Sequence, residues 1–261
     1  MLILILTVVC LLAAAMVWLM QSPDPAWYAL VVSLPHRQTD LARFTKRATS
    51  ERVRCRTFPA VYGKDLDPMN LSHLLSDELT KHVMALSQRG NLGACFSHLG
   101  AIRELADYWP SGSDPALVFE DDVYLCVDFH HQFKRLVSEM TPDWDLLLLG
   151  WTCSYQDNQD QCQQNETCKV IAPGYIRDLN YSIGLFGYAL RTRESAEKVW
   201  AAMMPLEWII DIDLTRVAQK GDFNLVAAMP PLAEHPGYTE ISSHDWSATR
   251  PMQHYRTDTN L

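Results

Sequence analysis

The sequence predicts an α/β domain with a mostly parallel sheet and helices on its faces. Three observations support this prediction. Strand-like segments alternate with segments of helical composition, the strand-like segments are nearly continuous apolar runs, and no internal repeat or low-complexity linker interrupts them. The chain has 261 residues, of which 48% are hydrophobic, so it is long enough to bury one substantial core.

The first half of the domain alternates between strands and helices. The apolar run 27–33 predicts a first strand, and residues 39–50 have helical composition. Residues 52–61 alternate like a second strand. After a polar helical stretch, an apolar-periodic helix is predicted to begin at Gly93 and to run to about Trp109.

The second half begins after a loop rich in Pro, Gly and Ser at residues 110–115. Residues 116–119 predict the next strand, residues 129–140 a helix, and residues 144–150 a short, fully apolar strand. Ligands of such sheets collect at the carboxyl ends of the strands. The residues that follow each strand are therefore the first place to search for a site.

Three consecutive carboxylates, Glu120, Asp121 and Asp122, follow the strand 116–119 within the run LVFEDDVYL. Carboxylates this close repel one another, and a cation would offset that repulsion. A solvated turn or a helix N-cap is the alternative, but the apolar residues on both sides indicate that the chain returns to the core. A divalent cation held by one or two of these carboxylates, with substrate phosphates completing its coordination, explains the cluster.

The net charge of −9 argues against a nucleic-acid partner, because phosphate contacts along a nucleic acid need clustered Lys and Arg. A diphosphate substrate on a metal ion would reconcile an acidic protein with an anionic ligand. The sequence shows no glycine-rich, Lys-bearing phosphate loop, which disfavours a nucleotidyltransferase.

The first twenty residues contain no charged side chain and are long enough to span a bilayer as a helix. We expect residues 1–20 to be an uncleaved signal anchor, with a cleaved signal peptide as the alternative. Residues 21–26 would form a short stalk, residues 27–245 the folded domain, and residues 246–261 a polar tail.

Sequons at Asn70, Asn165 and Asn180 and six cysteines after the apolar segment favour a lumenal (ER or Golgi) or extracytoplasmic domain, secreted if the segment is cleaved. Cys153, Cys162 and Cys168 lie in a polar loop without a core of its own, where a disulfide would restrain the chain. Zinc is the competing interpretation, but no CxxC pair or nearby His supports it. Cys95 and Cys126 lie in apolar surroundings and are expected to be buried free thiols.

Five segments, in this order, resemble glycosyltransferase family 25, which includes bacterial lipooligosaccharide galactosyltransferases and animal collagen galactosyltransferases. They are Ser33-Leu-Pro-His-Arg37 with Arg43, Phe58-Pro-Ala-Val-Tyr-Gly63, Gly93-Ala-Cys-Phe-Ser-His98, Phe119-Glu-Asp-Asp-Val123 and Trp144-Asp-Leu-Leu-Leu-Leu-Gly150. The resemblance extends from about Trp27 to about Asp245. It implies a GT-A fold, a sugar-nucleotide donor such as UDP-galactose, a manganese-type ion (Mn²⁺ or Mg²⁺) and inversion at the anomeric carbon.

The resemblance also implies roles for the three acids, which match the family's DxD-like motif. Asp122 is expected to reach the metal, and Glu120 to face the metal or the nucleotide ribose. Asp121 is expected to lie in the donor site or to point into the scaffold.

Two further matches concern the nucleotide. Ser33, Pro35 and Arg37 match the family's opening motif, where base and ribose should lie, although Ser33 replaces the usual Asn and His36 one of a pair of Arg. Ser97 and His98 match a Gly-x-x-x-Ser-His segment near the donor. Helix capping and packing are the alternative roles for that pair.

The later part of the chain matches more loosely. Residues 181–190 resemble the family's glycine-containing strand, before a helix that begins near Glu194. The family places an acid after a Pro near position 211, and inversion needs a general base for the acceptor hydroxyl. Asp211 is the first choice, with Asp213 and Glu207 as alternatives or as helix N-terminal acids. A late histidine would complete the metal site: His235 first, His244 second.

The sequence therefore predicts a metal-dependent, inverting glycosyltransferase. It would move a hexose, galactose or glucose, from a UDP-sugar to a hydroxyl of a glycan or protein acceptor. A degenerate family member that binds a sugar or a protein without turnover is the alternative, because the opening motif is altered.

Overall fold

The computed structural model describes residues 27–86, 89–112, 115–152, 174–177, 183–229 and 231–235. The strands are β1 (Trp27–Ser33), β2 (Val53–Pro59), β3 (Ala116–Glu120), β4 (Tyr124–Leu125), β5 (Leu146–Thr152), β6 (Tyr175–Arg177), β7 (Ile183–Leu190), β8 (Leu225–Ala228) and β9 (Ala233–Glu234). The α-helices are α1 (Gln38–Ser50), α2 (Asp77–Leu86), α3 (Arg89–Asp107), α4 (Phe129–Glu139), α5 (Arg193–Ala202) and α6 (Ile210–Gln219), and 3₁₀ helices lie at Gly63–Asp65 and Pro68–Leu74. The predicted α/β class is confirmed.

Within the described ranges, seven strands form the main sheet in the order β2-β1-β3-β7-β5-β8-β6. The pairs β1·β2, β1·β3 and β5·β8 are parallel, whereas β7 lies antiparallel between β3 and β5, and β6 is antiparallel to β8. Five strands therefore run in one direction, and the predicted mostly parallel sheet is confirmed. The reversed direction of β6 and β7 was not predicted.

Alternate residues of each inner strand pack into two separate cores. Leu30 and Val32 of β1 face the core formed with α3, α5 and α6. Ala29 and Val31 face the opposite core, formed with α1 and α4. Because helices cover both faces of the sheet, both sets of side chains are buried, which explains the continuous apolar runs in the sequence.

The helix predicted to begin at Gly93 begins four residues earlier, at Arg89. Arg89, Gly90 and Asn91 are exposed, and Leu92 is the first buried residue of the helix. The periodic spacing of apolar residues therefore cannot reveal the first turn of this helix, because none of the first three residues of the helix packs on the core.

In the part of the chain that the structure describes, no helix is long and apolar enough to cross a membrane. The predicted anchor (1–20), stalk (21–26) and tail (246–261) lie outside the described residues, as do Cys153, Cys162, Cys168 and His244. What the sequence predicts for these segments and residues stays a prediction. Cys95 and Cys126 are buried free thiols, as predicted.

Candidate active site

A cavity of about 440 Å³ opens at the carboxyl ends of β1, β2 and β3. Its lining includes all three acids of the Glu-Asp-Asp run, the loop 60–64 after β2, and residues of the first three turns of α3. Cavities of this size accept small ligands. The acids thus lie at the carboxyl edge of the sheet, as their position after a strand in the sequence predicted.

A two-stranded ladder brings a distant segment to the acids. After Asp122 the chain returns to the core as β4, which pairs antiparallel with β9, with Leu125 opposite Ala233. Leu232 N–H also donates to the Leu149 carbonyl of β5 at 2.7 Å, and its own carbonyl accepts from Cys126 N–H. The ladder ends immediately before His235, so this late histidine lies beside the acids.

Glu120, Asp122 and His235 form the acid-histidine triad. Each offers one ligand atom, and these atoms all lie within 4.8 Å of one another. His235 Nε2 lies 3.2 Å from Asp122 Oδ2, and its ring stacks on Phe186 of β7, with ring centroids 4.9 Å apart. Among the described residues, no donor reaches the buried Asp122 Oδ1. A buried carboxylate oxygen without a donor is free to bind a cation, so the triad fits a divalent ion.

The charges of the triad are coupled. Burial disfavours the ionised form of Asp122, but the hydrogen bond and charge of His235 and the charge of Arg37 outweigh this effect and lower the Asp122 pKa. Burial likewise lowers the pKa of His235, but the hydrogen bond to Asp122 and the negative charges of Asp122 and Glu120 raise it above its ordinary value. Asp122 is therefore ionised at neutral pH.

Asp121 has a different environment from its two neighbours. It is 4% exposed, accepts a hydrogen bond from Ser33 Oγ at 2.6 Å, and lies 2.9 Å from Arg37 Nε. Arg37 also reaches Asp122 Oδ2 at 2.7 Å. Burial is the largest influence on Asp121 and raises its pKa, although the Ser33 hydrogen bond and the Arg37 charge oppose the shift. Asp121 points into the scaffold, which is one of the two placements expected for it.

The residues of the opening motif, Ser33, Pro35 and Arg37, differ in their contacts. Ser33 and Arg37 line the cavity, but both are bound to the acids, so they position the acidic run as well as border the ligand space. Pro35 is exposed and does not line the cavity; its carbonyl accepts from Gln38 Nε2. A nucleotide contact by Pro35 has no geometric support.

His98 supports Glu120. Its Nε2 lies 3.2 Å from Glu120 Oε1, and its Nδ1 lies 3.4 Å from the hydroxyl of Tyr188, which is fully buried. A neutral imidazole protonated at Nε2 satisfies both contacts, by donating to Glu120 and accepting from Tyr188. Histidine and tyrosine therefore orient a triad carboxylate, as outer-shell groups orient metal ligands.

Ser97 lines the cavity and is bound to backbone at two points. Its hydroxyl donates to Gly93 O at 2.7 Å and accepts from Val61 N–H at 2.8 Å. The packing role that the sequence left open for this serine is the one the structure shows.

The three candidate bases lie around the start of α6. Asp211 accepts from the backbone N–H of Gly184, at the start of β7, at 2.7 Å, and is half-buried. Because β7 is antiparallel to β3, its first residues lie at the cavity edge of the sheet, and Phe186, two residues after Gly184, contacts His235. Asp211 therefore lies toward the same edge of the sheet as the site, although it does not line the cavity.

The two alternatives fit the role of general base less well than Asp211. Asp213 is 1% exposed, and its carboxylate accepts the backbone N–H of Glu207. Burial raises the Asp213 pKa, against the opposing backbone hydrogen bonds of Glu207 and Trp208. The Glu207 carboxylate pairs with Arg216 and Lys220. The burial of Asp213 disfavours contact with an acceptor hydroxyl, so Asp211 remains the first choice and the catalytic role of Asp213 stays a prediction.

The sequence assigned no site role to Tyr188 or Phe186, and it included the loop 60–64 only through the segment Phe58–Gly63, which resembles the family. The first two are apolar-run residues of β7, which look like ordinary core in a sequence. The small residues Gly93 and Ser97, four apart on α3, were the available signal for the loop, because they indicate a close approach of backbone to a helix.

The fold and the site together define the class of protein. It is an α/β domain that binds a ligand at the carboxyl edge of its sheet, where the cavity and the acid-histidine triad lie. The family model "Glycosyltransferase family 25 (LPS biosynthesis protein)" matches residues 28–214. The chain belongs to glycosyltransferase family 25.

Similar proteins include procollagen galactosyltransferase 2 of Mus musculus, 25% identical over 238 residues, which cover 87% of this chain and 34% of that protein. Procollagen galactosyltransferase 1-A of Xenopus laevis is 26% identical over 193 residues, 70% of this chain and 29% of that protein. The chain thus spans about a third of the length of these relatives. Among solved structures, mouse xyloside xylosyltransferase 1 in its apo form matches 75% of this chain and 82% of its own, with 11% identity and a TM-score of 0.36.

Proposed function

We propose that this protein is a metal-dependent, inverting glycosyltransferase that moves a hexose, galactose or glucose, from a UDP-sugar to a hydroxyl of a glycan or protein acceptor. The observation that carries the proposal is the triad of Glu120, Asp122 and His235 beside the cavity. Family membership and the galactosyltransferase relatives support the reaction class and the hexose.

Glu120, Asp122 and His235 would hold the metal. Two carboxylates and one imidazole suit Mn²⁺, and Mg²⁺ is the alternative. A bound ion would act as a Lewis acid that offsets the charge developing on the diphosphate leaving group. His98 keeps Glu120 in place, and Arg37 keeps Asp122 in place.

The acceptor hydroxyl must lose a proton as its oxygen bonds to the anomeric carbon. We assign that proton to the carboxylate of Asp211, which the Gly184 N–H fixes in orientation. The oxygen displaces the diphosphate from the opposite face of the sugar, so the configuration of the anomeric carbon inverts. β5 ends at Thr152, at the same edge of the sheet. Residues 153–168 lie outside the described residues, and we expect them to shape the acceptor site because such sites lie on variable loops.

The proposal is tested by donor turnover with purified protein. We expect hydrolysis of, or transfer from, UDP-galactose or UDP-glucose that depends on added Mn²⁺. Asp122→Ala should lower this turnover at least about 100-fold, because losing a carboxylate ligand of the ion removes several kcal/mol of transition-state stabilisation. Asp107→Ala is the matched control, since Asp107 is an exposed acid paired with Arg103 at the far end of α3.

Lack of turnover with either sugar nucleotide, together with an Asp122→Ala variant that behaves like the parent protein, would refute the enzyme. Retained binding of a sugar or a protein in that case would identify the alternative, a binding module without turnover.

A further inference from the structure

The loop 60–64, called here the wall loop, is fixed at its start by two elements of the fold. Ala60 N–H donates to Ser33 O of β1 at 3.0 Å, and Val61 N–H donates to Ser97 Oγ of α3 at 2.8 Å. Ser97 is 1% exposed and also binds Gly93 O within its own helix. The backbone of the wall loop is therefore held against α3 by a buried side chain.

Two glycines let the loop and the helix approach this closely. A Cβ on Gly93 would lie 2.7 Å from both Gly63 N and Val61 O, and a Cβ on Gly63 would overlap the carbonyl of Arg89. Any side chain at either position would push the wall loop away from α3. The Gly93–Ser97 face thus fixes the position of the loop relative to the cavity.

The wall loop presents an aromatic ring and a cation to the cavity. All five of its residues line the space, and the acidic run contributes to the same lining. Tyr62 is a large side chain that is 40% exposed, and Lys64 Nζ lies 5.8 Å from its ring centroid. No carboxylate in the described parts of the chain forms a salt bridge with Lys64. One cavity therefore contains metal-binding acids, an exposed aromatic ring and a cation.

We infer that the wall loop is the nucleotide-binding wall of the donor site, where Tyr62 stacks on the base and Lys64 pairs with the diphosphate. Gly93 and Ser97 are positioning residues that act through the loop. The inference rests on the proposed function, because it assumes that the cavity receives a nucleoside diphosphate. Aromatic rings stack on bases through their π-faces, and an ammonium attracts phosphate.

The test is UDP binding in the presence of Mn²⁺, measured by calorimetry. Tyr62→Leu should weaken UDP about 5- to 100-fold, the range for loss of one stacked base, whereas Tyr62→Phe should bind like the parent protein. Affinity for pyrophosphate should stay unchanged in Tyr62→Leu. Lys64→Gln should weaken both ligands about two- to fivefold at low salt, with a smaller loss at high salt. Tyr108→Leu is the matched control, because Tyr108 is 79% exposed beyond the other end of α3.

The positioning role is tested with Ser97→Ala. This variant should weaken UDP while Mn²⁺ binding, measured without nucleotide, stays at the parent value. The double variant with Tyr62→Leu should lose less affinity than the two single losses combined, because both act on one contact. A general folding defect would instead lower Mn²⁺ and UDP binding together, and this result would overturn the positioning role.

The outcomes separate this inference from the proposed function. If the parent protein binds UDP and Tyr62→Leu and Lys64→Gln bind it equally well, the nucleotide wall is wrong and the proposed function stands. If the parent protein binds no uridine nucleotide with Mn²⁺, the proposed function fails, and the wall fails with it.

Discussion

The side chains of Glu120, Asp121 and Asp122 have three different environments although the residues are adjacent. Glu120 contacts His98, Asp121 is buried against Ser33, and Asp122 contacts both Arg37 and His235. The first residue ends a strand and the next two form a turn, so their side chains diverge. The sequence could predict a shared site for the three acids, but it left two placements open for Asp121, and the tertiary contacts decide between them.

A matched pair of variants at the start of α6 separates catalysis from stability at the scale of single residues. Asp211→Asn should lower turnover roughly 10²- to 10⁴-fold, the usual contribution of a general base. Its single amide oxygen can accept from Gly184 N–H or from Ile212 N–H but not from both, so this variant should lose some stability as well. Asp213→Asn should leave turnover nearly unchanged and cost about 1–2 kcal/mol of unfolding free energy, because a charged acceptor of the Glu207 N–H is lost.

Single-turnover kinetics and urea unfolding of both proteins would check this pair. The assignment of Asp211 fails if Asp211→Asn keeps full turnover, or if Asp213→Asn lowers turnover as much as Asp211→Asn does.

At the scale of elements, the β4–β9 ladder completes the triad. His235 is 113 positions from Asp122, and no local pattern in the sequence links them. Gly150 of β5 lies under this ladder, where an added Cβ would be 3.0 Å from Ala233 O and 3.2 Å from Phe186 Cβ. The absence of a side chain at Gly150 therefore allows β9 and Phe186 to hold the histidine in place.

Gly150→Val tests this dependence. The added side chain should displace β9 or Phe186, cost about 1–3 kcal/mol of stability, and weaken Mn²⁺ binding through His235. Thermal unfolding with and without Mn²⁺ measures both effects, because an ion that binds only the folded state raises its stability. His235→Gln is the reference for a lost ligand; a Gly150→Val protein with the full Mn²⁺-dependent stabilisation would contradict the argument.

At the scale of the whole molecule, a buried histidine links three elements on the side of the α1/α4 core. His130 of α4 accepts a hydrogen bond from Trp27 Nε1 of β1 at 3.1 Å, its Nε2 lies 3.3 Å from Arg52, and its backbone N–H donates to Glu51. Burial, followed by the charges of Arg52, His131 and Lys134, lowers the His130 pKa below 6.5, while Glu51 opposes the shift.

This shift predicts a pH dependence of folding. A lowered folded-state pKa means that the unfolded chain binds more protons, so the stabilisation from neutral His130 is complete above the unfolded pKa of 6.5 and is lost as the pH falls through the folded pKa. His130→Asn should cost roughly 1 kcal/mol at pH 7.5 and less at pH 5. Urea unfolding of both proteins across this range checks it, and a difference that is constant or grows toward pH 5 would contradict the sign.

Both proteins must be measured, because His235 changes the folding stability with pH in the opposite direction to His130. Its raised pKa contributes stability below pH 6.5 that is lost as the pH rises through its folded value. Both proteins retain His235, so its contribution cancels when the unfolding free energy of His130→Asn is subtracted from that of the parent.

Local patterns in the sequence were enough to predict the α/β class, the strand after which the acids lie, and the two buried thiols Cys95 and Cys126. These features depend on apolar runs and on the residues that follow them, and such patterns involve only residues close together in the sequence. The tertiary structure alone decided the antiparallel direction of β7, the pairing of β4 with β9, the burial of Asp213 and the contact of Ser97 with the wall loop. Each of these depends on backbone hydrogen bonds or close approaches between segments far apart in the chain, which only the packed molecule specifies.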